Sequence, residues 1–217
     1  MVPNRIRKTS SSTAERILDA AEKLFAEASY DGVSIRQITR EAGVELALAN
    51  YHFGSKLDLF RAVVRRRAES LNDQRMAALE RLSDRPSLEE LIEAFTGPFL
   101  ERSLHGGPGW KSYARLIAQI ANSPRWTHEL MSSEFDDVAN AFVAGVRGIY
   151  PHAADEDIYW AFHFLVGAMT ITFAETGRID VLSAGRCHST DLATIIARMI
   201  PFLAAGFRHL CAPDDDA

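Results

Sequence analysis

The chain has 217 residues, of which 47% are apolar and 24% charged, with a formal net charge of −5. That length suits one helical body with a small additional head, and no apolar run is long enough to suggest a bilayer-spanning segment, so a soluble protein is expected. Cys187 and Cys211 cannot build a disulfide framework and sit in no spaced metal motif, and no apolar stretch follows Arg5, Arg7 and Lys8 to form the core of a secretion signal; a reducing cytoplasm is the natural setting.

Helical periodicity runs throughout, and no segment alternates as a strand between hairpin turns, so the predicted class is all-α with about nine helices. A polar arm over 1–12 precedes a first helix that starts at Ser12 or Thr13. Glu15 completes its capping box, and Ile17, Ala21, Leu24 and Phe25 share its buried face. Tyr30-Asp31-Gly32 then turns the chain. Ser34 and Gln37 form a second box for a short helix over 34–42 that aligns Ile35, Ile38 and Ala42. Gly43 ends that helix, Val44 fills the angle, and another short helix runs over 45–53 to Gly54. Ser55 and Asp58 cap a long helix from Lys56 to about Leu82. It carries Leu57, Phe60, Val64, Ala68 and Leu71 on one side, and Arg65, Arg66 and Arg67 on a side read as solvated.

Beyond Asp84-Arg85-Pro86, Ser87 and Glu90 cap a helix through Leu91 and Phe95 that Pro98 should bend. Gly106 to Gly109 breaks the chain before a helix over 110–122. Ser123-Pro124 opens the next, which continues to about Ile149 and stops at Tyr150-Pro151. Two long helices, about 155–176 and 190–210, flank a 177–189 loop without strong periodicity, and Pro213 with the acidic Asp214 to Asp216 forms a frayed tail. The predicted division is a helix-turn-helix head over 1–55 and a body over 56–217, with the 56–82 helix linking them.

Two short helices joined by a tight glycine turn can set the second helix in the DNA major groove, where side chains near its start meet base edges. Glu45, Leu46, Ala47 and Asn50 are therefore candidate readers. Asn50 matches the paired sites of adenine, and Arg36 has the fork that guanine prefers. Tyr51, His52 and Lys56 suit phosphate, aided by the amino end of the long helix, and Ser34 is a further candidate DNA contact. Charge agrees with this division. Residues 1–75 carry 13 Lys or Arg against 10 Asp or Glu, a net +3, while residues 76–217 carry 11 against 19, a net −8. A mildly basic head on an acidic body would orient the protein on a phosphate backbone.

The segments Ile17-Leu18-Asp19-Ala20-Ala21, Leu24-Phe25, Tyr30-Asp31-Gly32-Val33-Ser34, Ile38, Glu41-Ala42-Gly43-Val44 and Asn50-Tyr51-His52-Phe53-Gly54-Ser55-Lys56 resemble the TetR family of bacterial transcriptional regulators in order and spacing. Thr39 departs from the family's usual Ala, and Asn50 from a common Tyr. The second departure looks like a sub-branch reading Leu-Ala-x-x-Asn-Tyr-His-Phe-Gly-Ser-Lys, some of whose members respond to fatty-acid or acyl-thioester ligands. The resemblance implies a homodimeric repressor on an inverted-repeat DNA site, released by a hydrophobic or aromatic effector held between the middle helices. The alternative is a DNA-binding regulator with no small-molecule effector.

One reading helix contacts too few base pairs for genomic discrimination, so two are expected. The stripe Ile158, Phe162, Val166, Met169 and Phe173 and the surface Ile195, Ile196, Met199, Phe202 and Leu203 fit a dimer interface, or else the monomer's own core. Large side chains gather in the middle of the body, at Phe95, Phe99, Trp110, Tyr113, Trp126, Met131, Phe135 and Phe142, and could line a ligand cavity or simply pack. Arg115, Gln119 and His163 are candidate polar anchors, with a core or interface role as the alternative for His163. No catalytic or metal motif stands out: Cys187-His188 are merely adjacent, and Glu134, Asp136 and Asp137 read as a solvated face. No enzyme activity, cofactor, metal or membrane partner is expected.

Overall fold

The computed structural model describes residues 12–212, and all regular elements among them are helical. The basic arm at Arg5, Arg7 and Lys8 and the tail from Pro213 to Asp216 lie outside the described residues. Two compact units divide at Val63 and Val64, within the long fourth helix, rather than before it.

The first unit holds α1 (Thr13–Ala28), α2 (Ile35–Ala42), α3 (Leu46–Phe53) and the opening turns of α4 (Lys56–Glu80). Capping boxes at Ser12 with Glu15 and at Ser34 with Gln37 fix the starts of α1 and α2. At α4, the Asp58 N–H donates to Ser55 Oγ at 3.1 Å. Gly43 takes left-handed angles (φ 62°, ψ 43°) that close α2 and redirect the chain into α3. Ile17, Ala21, Phe25, Ile38, Leu59 and Phe60 form the core. Phe25 meets Phe60 edge-on with centroids 4.9 Å apart, and Tyr30 lies 5.0 Å from Phe60. Arg16 adds a tie that the sequence did not reveal. Its Nη2 donates to the carbonyls of Ala42 and Gly43 at 2.5 and 2.9 Å, holding the α2–α3 turn against α1. Thr39, the residue that departs from the family pattern, is buried but donates its hydroxyl to the Arg36 carbonyl at 3.2 Å, so no polar group is stranded.

The second unit comprises the rest of α4, α5 (Leu88–His105), α6 (Pro108–Ala121), α7 (Pro124–Trp126), a π-helical turn (Thr127–Met131), α8 (Ser132–Ile149), α9 (Asp155–Ala174), α10 (Arg178–Leu182) and α11 (Leu192–Cys211). α5 packs on α6, α8 and α11, and α9 on α6, α8 and α11. Gly145 permits one close approach, because a Cβ there would lie 2.7 Å from a Leu91 methyl. The break after α5 is shorter than expected, since Pro108 already occupies the first turn of α6. The 177–189 segment also differs from expectation. It contains α10, whose Asp180 carboxylate accepts from the Ser189 N–H at 3.0 Å. Arg65, Arg66 and Arg67 are not a uniformly solvated row. Arg65 pairs with Glu134 at 3.2 Å, Arg66 is half-buried, and Arg67 lies 4.8 Å over the Trp110 ring.

α9 and α11 are each 20 residues long and reach a mean hydropathy of 1.2, long and apolar enough on those measures to cross a membrane, which the sequence reading had not credited. One face of each is buried inside the second unit, through Ile158, Leu165 and Phe173 on α9 and Leu192, Leu203 and Phe207 on α11.

Candidate nucleic-acid interface and ligand cavity

Among the eight residues of α3, only Ala49 is buried. Leu46, Ala47, Leu48, Asn50, Tyr51 and His52 all face outward, and Tyr51 is 82% exposed. A short helix gains little stability alone, so this one is held by its neighbours: the Gly43 turn, the Arg16 tie and the Ala49 contact. What it presents is a rigid surface of one amide, one phenol, one imidazole and two leucines. Glu45 caps it without a side-chain hydrogen bond, leaving the first-turn N–H groups to other partners. Glu45, Arg36 and Ser34 are exposed beside it. The Ser34 hydroxyl is committed to its cap, however, accepting from the Gln37 N–H and donating to Gln37 Oε1 at 2.7 Å. Lys56 is half-buried, with its ammonium 4.1 Å over the Tyr30 ring. Leu48, absent from the predicted readers, shares their exposed surface.

The second unit holds a partly open cavity of about 480 Å³. Four predicted ligand residues line it, namely Phe95, Phe99, Phe135 and His163. Five do not. Trp110 is buried under Arg67 and Arg102, and Trp126 packs beneath Arg125. Tyr113 is fully buried and donates its hydroxyl to the Val64 carbonyl at 3.0 Å. Arg115 pairs with Glu175 at 2.6 Å, and Gln119 sits on the exposed side of α6. Their aromatic or polar character was legible, but the direction in which each side chain points was not.

The α9 stripe also turns out differently. Phe162, Val166, Met169 and Phe173 line the cavity, with Phe162 5.8 Å from Phe95 and Phe173 4.3 Å from Phe99; Met169 and Phe173 are buried within the chain, and Phe162 and Val166 are half-buried. Met199 is likewise buried and Ile195 half-buried, whereas Phe202 is 73% exposed. The outward face of α9 carries Tyr159, Trp160, Phe164 and Ile171 instead. Trp160 and Phe164 stack with centroids 6.1 Å apart, and the His163 ring lies against both. The helical period rotates one stripe inward and the next outward.

Two features of the cavity were missed entirely. One is the π-helical turn, which brings Thr127 into the wall beside Met131, already a candidate for the lining, and such one-residue insertions leave no sequence signature. The other is Arg75, on α4, which lines the cavity and is only 4% exposed. Its guanidinium lies 4.6 Å from the Phe95 centroid and 5.5 Å from that of Phe99. Its Nε is buried without a hydrogen-bond partner, and among the described residues no carboxylate pairs with it. Burial away from water pushes its pKa down to about 10.

Both units match known families. Residues 17–63 match the family described as bacterial regulatory proteins, tetR family, and residues 93–206, more than half of the chain, match the tetracyclin repressor-like C-terminal domain. The chain belongs to the TetR family. Within that family it is 33% identical over 92 residues to the HTH-type transcriptional activator FasR of Mycolicibacterium smegmatis, a match covering 42% of each chain. Among solved structures, the transcriptional regulator FadR from Bacillus subtilis in complex with stearoyl-CoA aligns over 88% of this chain and 98% of its own, with a TM-score of 0.59 at 16% identity. A regulator from Saccharomonospora viridis in complex with choline aligns over 92% and 97%, with a TM-score of 0.60 at 22% identity. At such identities the structural likeness establishes the TetR fold alone.

Proposed function

We propose that this chain is a homodimeric transcriptional repressor that reads an inverted-repeat DNA site through α3 and releases it when a small apolar molecule enters the body cavity. The observation that carries the DNA-reading half is the outward presentation of nearly all of α3, with Asn50 and Tyr51 exposed on a helix too short to stand alone. Asn50 supplies the donor and acceptor for adenine, Arg36 the fork for guanine, and Tyr51 and His52 phosphate contacts. Two-fold pairing would set two such helices in successive major grooves, about 34–36 Å apart. The exposed aromatic face of α9 and Phe202 on α11 supports that pairing, since contiguous apolar surface of this kind marks an association site.

A cavity of about 480 Å³ lies within the usual range for small-molecule sites and supports an effector over a regulator without one. Stearoyl-CoA and choline in the two structural neighbours differ in charge, so the effector class follows from this chain's own cavity lining. Release follows if the ligand-filled body favours a spacing of the reading helices that the operator does not.

The test is selection of genomic DNA fragments by the purified protein at near-physiological salt, beside an Asn50→Ala, Tyr51→Ala double variant. Enrichment of one inverted repeat by the wild type, absent with the variant, is expected. Equal enrichment by both would remove α3 as the reader, and no enrichment by either would overturn the DNA-reading assignment for the free protein.

A further inference from the structure

Three of the six polar side chains that line the cavity are already engaged with the chain's own backbone. The Thr170 hydroxyl donates to the Gly167 carbonyl at 3.0 Å, the Asn122 amide to the Ala118 carbonyl at 2.8 Å, and the Thr127 hydroxyl to the Ile120 carbonyl at 3.3 Å. Of the other three, Asp136 and His163 are exposed and Arg75 is buried. Phe95 and Phe99 sit near its guanidinium without using its N–H groups, and no acceptor is present for the buried Nε. A buried cation without a counter-charge is costly, and such groups persist in proteins where a partner joins them. A guanidinium among aromatic rings still has its N–H edge, whose fork geometry matches a carboxylate.

We propose that Arg75 is the anchor for a carboxylate, so that the molecule held in this cavity is a monocarboxylic acid with a compact apolar body. This rests on the effector reading above and narrows it to one chemical class. The single arginine and the Asp136 carboxylate in the same lining favour one negative charge over two. Size narrows the class further. At about 480 Å³ the pocket accommodates the apolar body of a medium-chain or biaryl acid.

The experiment uses the full-length protein and two matched probe pairs, decanoate with decan-1-ol and biphenyl-4-carboxylate with biphenyl-4-methanol. Affinities are measured by titration calorimetry for the wild type, Arg75→Met and Arg75→Lys. The wild type should bind each acid roughly 10- to 100-fold more tightly than its alcohol, the gain expected of a charge-assisted hydrogen bond in a buried site. Arg75→Met should lose that preference while binding the alcohols as the wild type does, which also reports that it is folded. Arg75→Lys should keep a reduced preference. Equal binding of acids and alcohols by the wild type, or a preference that survives Arg75→Met, overturns the anion anchor and leaves the effector reading standing. Binding of neither class to the wild type overturns both.

Discussion

Replacing Arg75 with Met should make the ligand-free protein more stable, an unusual outcome for a change at a buried site. Burial pushes the arginine's pKa down to about 10, and at 1.36 kcal/mol per unit its charge is disfavoured in the folded state by roughly 3 kcal/mol. Stacking near Phe95 and Phe99 returns about 1–2 kcal/mol of that. Methionine keeps much of the length, suits an apolar lining and carries no charge, so the variant should gain about 1–2 kcal/mol. For a protein of this size that raises the melting temperature by roughly 2–8 °C in differential scanning calorimetry. The sign of the pH dependence follows from linkage. A base whose folded pKa is depressed carries its penalty wherever it is charged in both states, and loses that penalty as pH rises through the folded value. The stability gap between variant and wild type should therefore be constant near neutrality and narrow as pH rises through about 10. A variant that melts several degrees below the wild type at neutral pH would show that the stacked cation is a structural asset and refute this reasoning.

Four further outcomes follow. Arg16→Met removes two hydrogen bonds to the carbonyls of the Gly43 turn and should destabilise the first unit by about 1–3 kcal/mol, seen as faster amide exchange in α2 and α3. Gly43→Ala should cost about 1 kcal/mol or more, read from chemical denaturation, because its φ of 62° disfavours a side chain and the new Cβ would meet Arg16 Nη2 at 3.0 Å. Phe202→Glu together with Phe164→Glu should yield monomers in sedimentation velocity with unchanged helical content, since both side chains are exposed in the single chain. The Asp180 carboxyl is held below its ordinary value chiefly by the Ser189 N–H and hydroxyl; its contribution is present above the unfolded pKa and fades as pH falls through the folded one, so exchange of the Ser189 amide should quicken at acid pH while the α9 core stays protected.

The reading unit was legible because its signals are local. Ser34 with Gln37, Gly43, and Gly54 followed by Ser55 each act over three or four residues, and the structure has the same caps and turns at those positions. The Arg16 tie escaped because it joins residues 26 and 27 positions apart with no motif to announce it. In the body, periodicity located the long helices but not their rotation. α9 is apolar on nearly all sides, so Phe162 and Phe164 could not be told apart as inward and outward until α6, α8 and α11 were packed around them. Arg75 was invisible for a related reason: in a helix rich in charged residues, one more arginine reads as surface, and its burial depends on residues distant in sequence, Phe95 and Phe99 among them.

The most direct test of the account is the affinity of the purified protein for the recovered inverted repeat against a scrambled duplex of equal length, by fluorescence anisotropy at fixed near-physiological salt. The wild type should prefer the repeat by about 1,000-fold or more, and the Asn50→Ala, Tyr51→Ala variant should bind both duplexes alike and weakly. A wild type that binds the two duplexes equally, or a variant that keeps the preference, would contradict the assignment of α3 as the element that reads DNA.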